Sequence, residues 1–322
     1  MSEPKIIGLD IGGTKTAVVV GTPGGRILSR RQFATRTERG FAPVFADLTE
    51  TVDSSIKEVT ASAGTGPVVL SVSIGGPLRI LEGIIDNPPN LPGWDAIPLK
   101  KLLTERFGCP VYVEHDGNAG ALAEMYFGAG RGFRNIVFLT MGTGFGAGLI
   151  LDGRLYRGTT DVAGEMGHVR MAEDGPPAYG KPGSMEGFAS GPGLSALARM
   201  VCPETWPDGI SPAELAALYR AGNTEARLVL ARASRYLGRG FALLADLLNP
   251  ERIIVGGIGM RMFDVLVEPA LEHFREEALP QAYASCSVVP AQLGESIGDL
   301  ASLCAALDQG GLAHRTDERK SD

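Results

Sequence analysis

Apolar positions along the chain come in two rhythms. One is the near-continuous run, closed by glycine, that marks a strand covered on both faces. Residues 5–37 read as two or three strands: "KIIGLDIG" and "TKTAVVVG", rich in Ile and Val, and, after the turn signal "TPGG" at 22–25, the more polar "RILSRRQFAT". "GPVVLSVSIGG", "CPVYVEHDGN", "RIIVGG" and "SVVPAQL" repeat the pattern further on, and "NIVFLTMGTGFGAGLILDGRLYRG" predicts a hairpin around a glycine loop. The other rhythm is helical. Val44, Phe45, Leu48, Val52, Ile56 and Val59 predict a helix over 43–62. Further helices are expected in "PLKKLLTERFG" and "AGALAEMYFGAG", over 224–248, after "RIIVGG" and from about 298 to 309. Residues 172–184 read as a loop, "LEGIIDNPPNLPGW" as turn-rich and too polar for the core, and "HRTDERKSD" as a frayed tail.

Strands alternating with helices predict an α/β protein with mostly parallel sheets. One pattern occurs twice: "IIGLDIGGTKTAVVV" and "IVFLTMGTGFGAGLI" are each apolar strand, glycine turn, apolar strand. That predicts a duplicated domain, with a ligand cleft between the halves.

Composition changes the picture in few places. The 322 residues are 44% hydrophobic and 21% charged, as in an ordinary folded protein. Glycine, at 44 residues, is about twice its usual share and clusters in short runs, which suggests tight turns approached by ligands. A net charge of −7 argues against a nucleic-acid surface. Cys109, Cys202, Cys286 and Cys304 are scattered, giving neither a disulfide framework nor a zinc site and fitting a reducing, cytoplasmic setting. No run is long and apolar enough to span a membrane, and "MSEPK" leads directly into a strand with no room for a signal peptide.

Candidate chemistry gathers at the glycine turns. Gly12-Gly13-Thr14 and Gly142-Thr143-Gly144 are either plain hairpin turns or phosphate cradles; their joint occurrence favours phosphate. Two imitators fail. "GTGFGAG" is followed by a strand rather than the helix of a dinucleotide fingerprint, and "GPPAYGKP" has Pro182 where a phosphate loop needs Ser or Thr. Asp10, set inside an apolar strand, either caps a turn or partners magnesium; an unpaired charge there is costly, which weakens the cap. A second acidic site, "VEHDGNAGALAE", holds Glu114, His115, Asp116 and Asn118 at a strand-to-helix junction. Asp116 either N-caps the helix or takes a proton from an attacking hydroxyl, with Asn118 as the alternative cap. Glu165, His168, Glu186 and Asn90 supply the donors and acceptors that a polyhydroxylated ligand needs, though His168 alone would suit a structural role.

These motifs resemble the ROK family of sugar kinases, over Ile6 to about Leu307. "LDIGGTKT" and "MGTGFGAGLILDGRLYRG" look like its two phosphate motifs, "IIVGGIG" like its adenosine motif, and "NLPGW", "EHDGNAGALAE", "GEMGH" and "MEGFASG" like its sugar and catalytic segments. The resemblance implies a duplicated actin/hexokinase-like ATPase fold of the ribonuclease H-like kind: residues 1–117 with about 298–322 as a small domain and 118–297 as a large one. It implies Asp116 as general base, with Gly76, Asn90, His115, Glu165, His168 and Glu186 around the sugar. Gly13, Thr14, Lys15, Gly142, Thr143 and Gly144 would surround the phosphates of ATP, Gly256 and Gly257 would lie under the adenosine, and Asp10 would hold Mg²⁺ through water. The expected acceptor is the 6-hydroxyl of glucose or a related hexose, and the expected assembly a homodimer.

Two departures matter. The family's zinc motif, one histidine with C-x-C-G-x-x-G-C, meets Pro177, Tyr179 and Ser184 here, so no structural zinc is expected. His115 stands where Asn is usual beside the catalytic Asp, so an amino sugar or a sugar-like cyclitol is the alternative acceptor. The family also contains sugar-sensing repressors. The short segment before Ile6 and the acidic charge count against that reading, and no nucleic-acid partner is expected.

Overall fold

The computed structural model describes residues 3–61 and 66–313. They form two compact units: the chain up to Tyr126 together with Glu295 onward, and Phe127–Gly294. The carboxyl-terminal tail of the sequence reading, from His314, and Ser62 at the expected end of the first helix lie outside the described residues.

The first unit carries β1 (Lys5–Ile11), β2 (Lys15–Gly21), β3 (Ile27–Ala34), β4 (Val68–Ile74) and β5 (Val111–His115), in the sheet order β3-β2-β1-β4-β5. The second carries β6 (Ile136–Met141), β7 (Phe145–Leu151), β8 (Arg154–Tyr156), β9 (Arg252–Val255) and β10 (Ser287–Pro290), ordered β8-β7-β6-β9-β10. The two orders are the same topology, as the repeated sequence pattern predicts. The sheets are mixed rather than mostly parallel. β1, β2 and β3 run antiparallel, and only β1, β4 and β5 run parallel; the second sheet repeats this. The reason is connection length. Only three residues, Gly12 to Thr14, join β1 to β2, and a parallel crossover needs a dozen or more.

Helices fill the connections: α1 (Phe41–Ala61), α2 (Leu99–Phe107), α3 (Asp116–Phe127), α4 (Met185–Ala189), α5 (Gly191–Val201), α6 (Pro212–Arg220), α7 (Thr224–Leu248), α8 (Gly257–Arg261), α9 (Glu268–Glu277), α10 (Pro280–Ser285) and α11 (Ile297–Gln309). Where one helix was expected after "RIIVGG", the chain makes α8, a π-turn over Phe263–Val267, α9 and α10. Pro269 and Pro280 start the last two, as proline suits a first turn. α4, α5 and α6 had no sequence expectation, although Ser211 and Glu214 form a reciprocal capping box that "SPAE" spells out.

α11 returns to the first sheet. It lies on β1 and β4, so close at Gly8 that an added Cβ would stand 2.1 Å from Ser302 Oγ. Two segments differ from expectation. Half of residues 81–94 are exposed, but the segment sends three side chains into the core: Ile85, Leu91 and Trp94 are buried, and the Trp94 ring meets Phe41 edge-on at 5.0 Å. The polar residues between them face outward, so the average polarity hid the buried side chains. Residues 172–184 are not all loop, since Pro177–Ala178 pairs with Lys181–Pro182 as a small hairpin.

Candidate functional site

In the first unit the candidate residues collect at the carboxyl ends of the parallel strands, where open α/β sheets bind ligands. Asp10 ends β1 in register with Ser73 of β4, and Ile74 is in register with His115 of β5. The Gly12–Thr14 turn is anchored from β3's end: Thr35 Oγ1 donates to Gly12 O at 2.6 Å and Thr35 N to Thr14 O at 3.0 Å. Gly12 N–H is spent on Lys15 O, which leaves the N–H groups of Gly13 and Thr14 without a partner among the described residues. Gly13 must be glycine because a Cβ there would come 2.6 Å from the Asn90 carbonyl oxygen. The "NPPN" segment therefore rests directly on the first glycine turn.

Asp116 is the first residue of α3, which starts three residues earlier than expected. Asn118 is no cap: its Nδ2 donates to buried Glu114 Oε1 at 2.9 Å. Glu114 also accepts from His115 N and from Gln309 Nε2, so β5, α3 and α11 share one buried carboxylate. Asp116 Oδ1 accepts the Gly117 N–H at 2.7 Å; Oδ2 has no hydrogen-bond partner among the described residues, and the side chain is 56% exposed. His115 Nδ1 lies 3.3 Å from both Gly117 N and Asp116 Oδ1, and its ring covers Gly76.

Burial, and then repulsion from Asp116 and Asp299, pushes the Asp10 carboxyl up to about 6; Lys15 and Arg30 pull the other way. Asp10 Oδ2 sits at the start of α11, where a Cβ on Gly298 would be 2.8 Å away. Arg30 already pairs with Asp299 at 2.8 Å. A half-buried carboxylate near two others fits a water-mediated magnesium contact, in which the ion keeps its waters and takes one protein carboxylate.

In the second unit Gly142–Gly144 follows β6 and Gly256–Gly257 follows β9. Gly142 N–H is used by Gly144 O, while Thr143 and Gly144 N–H have no partner among the described residues. Gly142 N–H is thus already engaged, and the unengaged N–H groups of this turn are those of its next two residues. Gly257, at φ 58°, would put a Cβ 2.0 Å from Met141 O, so packing on β6 is enough to require glycine there. Gly256 N–H is likewise taken, by Leu139 O.

Glu186, the second residue of α4, is held from two sides. Its Oε2 accepts Phe145 N–H at 2.9 Å, next to the glycine turn, and Tyr179 Oη–H at 2.5 Å. Tyr179 stacks on His168 with ring centroids 3.5 Å apart. Burial, the Glu186 hydrogen bond and the Glu186 and Glu165 charges raise the Tyr179 phenol well above its usual range, so it stays a donor. Tyr179 was considered in the sequence only as a missing cysteine; its hairpin signal was "AYGK". Ser184 caps α4 by accepting Gly187 N–H, and Pro177 has no donor atom for a metal. With His168 these residues do not fit a tetrahedral zinc site, and no cluster of three or more His, Cys, Asp or Glu placed to hold a metal occurs among the described residues. All four cysteines are free.

Two sheets of one repeated topology, each with a glycine turn between its first two strands, define the actin/hexokinase-like class of two-domain α/β proteins. The chain belongs to the ROK family, whose model matches residues 6–307. It is 30% identical over 318 residues to a glucokinase of Halalkalibacterium halodurans, covering 92% of this chain and 93% of that one. A ROK hexokinase from Thermus thermophilus superposes with a TM-score of 0.81 at 31% identity, over 95% of this chain and 99% of that one. A ROK glucokinase from Streptomyces griseus, solved with glucose and AMPPNP, gives 0.73 at 32% identity, over 95% and 100%. A xylose repressor of Caldicellulosiruptor bescii is 26% identical, over 78% of this chain and 65% of that protein. No helix among the described residues is long and apolar enough to cross a membrane.

Proposed function

We propose that this protein is an ATP-dependent sugar kinase acting on a primary hydroxyl of glucose or a related hexose. The observation that carries it is Asp116: an exposed carboxylate at a strand-to-helix junction, with one oxygen fixed by a backbone N–H and the other unengaged. Asp116 takes the proton from the sugar hydroxyl as that oxygen attacks the γ-phosphorus. The new O–P bond forms while the bond to the bridging β–γ oxygen breaks, and ADP leaves with that electron pair. The N–H groups of Gly13, Thr14, Thr143 and Gly144, with Lys15, hold phosphate oxygens, and Asn90, His115, Glu165, His168 and Glu186 hold the sugar, near the Gly76 backbone. Asp10 would hold magnesium through water, and the ion would supply positive charge beside the phosphates. The similarity to glucokinases over nearly the whole of both chains supports this reading.

A second reading, a kinase for an amino sugar or a cyclitol, is favoured by His115. A ring over Gly76 offers one donor and one acceptor where an Asn amide would offer more. A panel of hexoses, amino sugars and cyclitols, each tested with ATP and magnesium, decides between them. Glucose turned over far faster than the rest supports the first reading, and an amino sugar or cyclitol leading supports the second. Phosphorylation of none, combined with salt-sensitive retardation of duplex DNA, would replace both with a repressor.

A further inference from the structure

The loop over residues 172–184, which carries no cysteine, closes on itself as a small hairpin. Tyr179 and Gly180 occupy the two central positions of a hairpin at φ 53° and 72°, between the paired residues Ala178 and Lys181. Both positive angles define a tight two-residue turn, and a tyrosine in the left-handed region is held there only if its side chain finds strong partners. It finds two. The ring lies on His168 at 3.5 Å with 22° between planes, and the hydroxyl donates to Glu186 Oε2 at 2.5 Å.

We propose that Tyr179 is a positioning residue for the sugar site, holding His168 by stacking and Glu186 by a hydrogen bond. This rests on the reading of His168 and Glu186 as sugar-binding residues. The consequence follows from how Glu186 is shared. Oε2 takes both Tyr179 Oη–H and Phe145 N–H, which turns Oε1 away from them and leaves it for a ligand hydroxyl. A hydrogen bond to a charged acceptor is among the stronger ones, so its loss should show in sugar affinity rather than in the chemical step.

The test compares wild type, Tyr179→Phe and Tyr179→Leu as full-length protein, after zinc is stripped by a chelator and magnesium is restored. Phenylalanine keeps the stack and drops the hydrogen bond; leucine drops both. The KM for sugar should rise about tenfold in Tyr179→Phe and further in Tyr179→Leu, with kcat within a few-fold and the KM for ATP unchanged. In proton NMR the His168 ring signals should be shifted upfield by the tyrosine ring in wild type and Tyr179→Phe, and not in Tyr179→Leu. Unchanged sugar KM in both variants overturns the proposal. So does stoichiometric zinc in the purified protein whose removal abolishes sugar binding. If the wild type phosphorylates no sugar, it is the kinase reading that fails; the NMR comparison still decides whether Tyr179 holds His168, and an absent upfield shift in wild type overturns that too.

Discussion

Asp116 and Asp10 are both aspartates at strand ends, yet their surroundings assign them opposite behaviour. Asp116 is exposed and fixed at one oxygen. Replacing it with Asn keeps the shape and the Gly117 contact but removes the proton acceptor. Phosphorylation should fall on the order of 10²–10⁴-fold while the sugar's Kd, measured by calorimetry, changes little; near-normal turnover would remove Asp116 from the base role. Asp10 is half-buried, and desolvation with the charges of Asp116 and Asp299 raises its pKa from 3.8 to about 6. The folded protein therefore binds more protons than the unfolded chain between those values, so stability falls as pH rises from about 4 to 6 and stays lower above. At neutral pH the penalty is on the order of 3 kcal/mol. Asp10→Asn should flatten the dependence of Tm on pH over that window and raise Tm at pH 7. A variant with the wild-type slope would show that Asp10 is not the titrating group. His115 belongs to the same scale. His115→Asn restores the amide usual in the family and should shift the ratio of kcat/KM between glucose and the protein's best amino sugar or cyclitol by about tenfold toward glucose. An unchanged ratio would mean that the ring does not select the acceptor.

Among elements, α11 has the greatest reach. It packs on β1 and β4 and starts beside Asp10, and Gln309 at its far end donates to Val113 O and Glu114. The sheet accepts this helix because Gly8 has no side chain; Gly8→Ala would drive a methyl against Ser302. The overpacking should cost about 1–3 kcal/mol, read from the midpoint of urea unfolding. An unchanged midpoint would mean that the helix shifts freely, and with it the wall behind Asp10. This is also the scale at which the sequence was most and least legible. The strands, α7 and α11 were readable because their apolar rhythm is long and uninterrupted. The hairpin that presents Tyr179 was not, because four residues hold too little periodicity to count and its stability comes from partners up to eleven positions back in the chain, at His168. Trp94 was missed for the same reason: its burial depends on Phe41, more than fifty positions away.

The whole molecule is one five-stranded topology used twice. Each copy places a glycine turn after its first strand and a second glycine-bearing turn after its fourth, so a ligand with both phosphate and sugar character should stabilise the folded chain. At a hundred times Kd, a non-hydrolysable ATP analogue with magnesium or the accepted sugar should each add about 2.7 kcal/mol, visible as a rise in Tm. Duplex DNA should add none; stabilisation by DNA alone would favour the repressor reading.

The order of residues was enough to announce the repeated strand–glycine–strand unit, the acidic junction at Asp116 and the absence of cysteine from 172–184, since each is a local pattern of residue types whose meaning does not depend on distant neighbours. What Tyr179 touches, which N–H groups of the glycine turns are left unengaged, and which carboxylate carries the raised pKa were decided only by folding. Each depends on backbone conformation and on distances between groups, some a few positions apart and some, like Asp10 and Asp299, at opposite ends of the chain, that residue order does not specify.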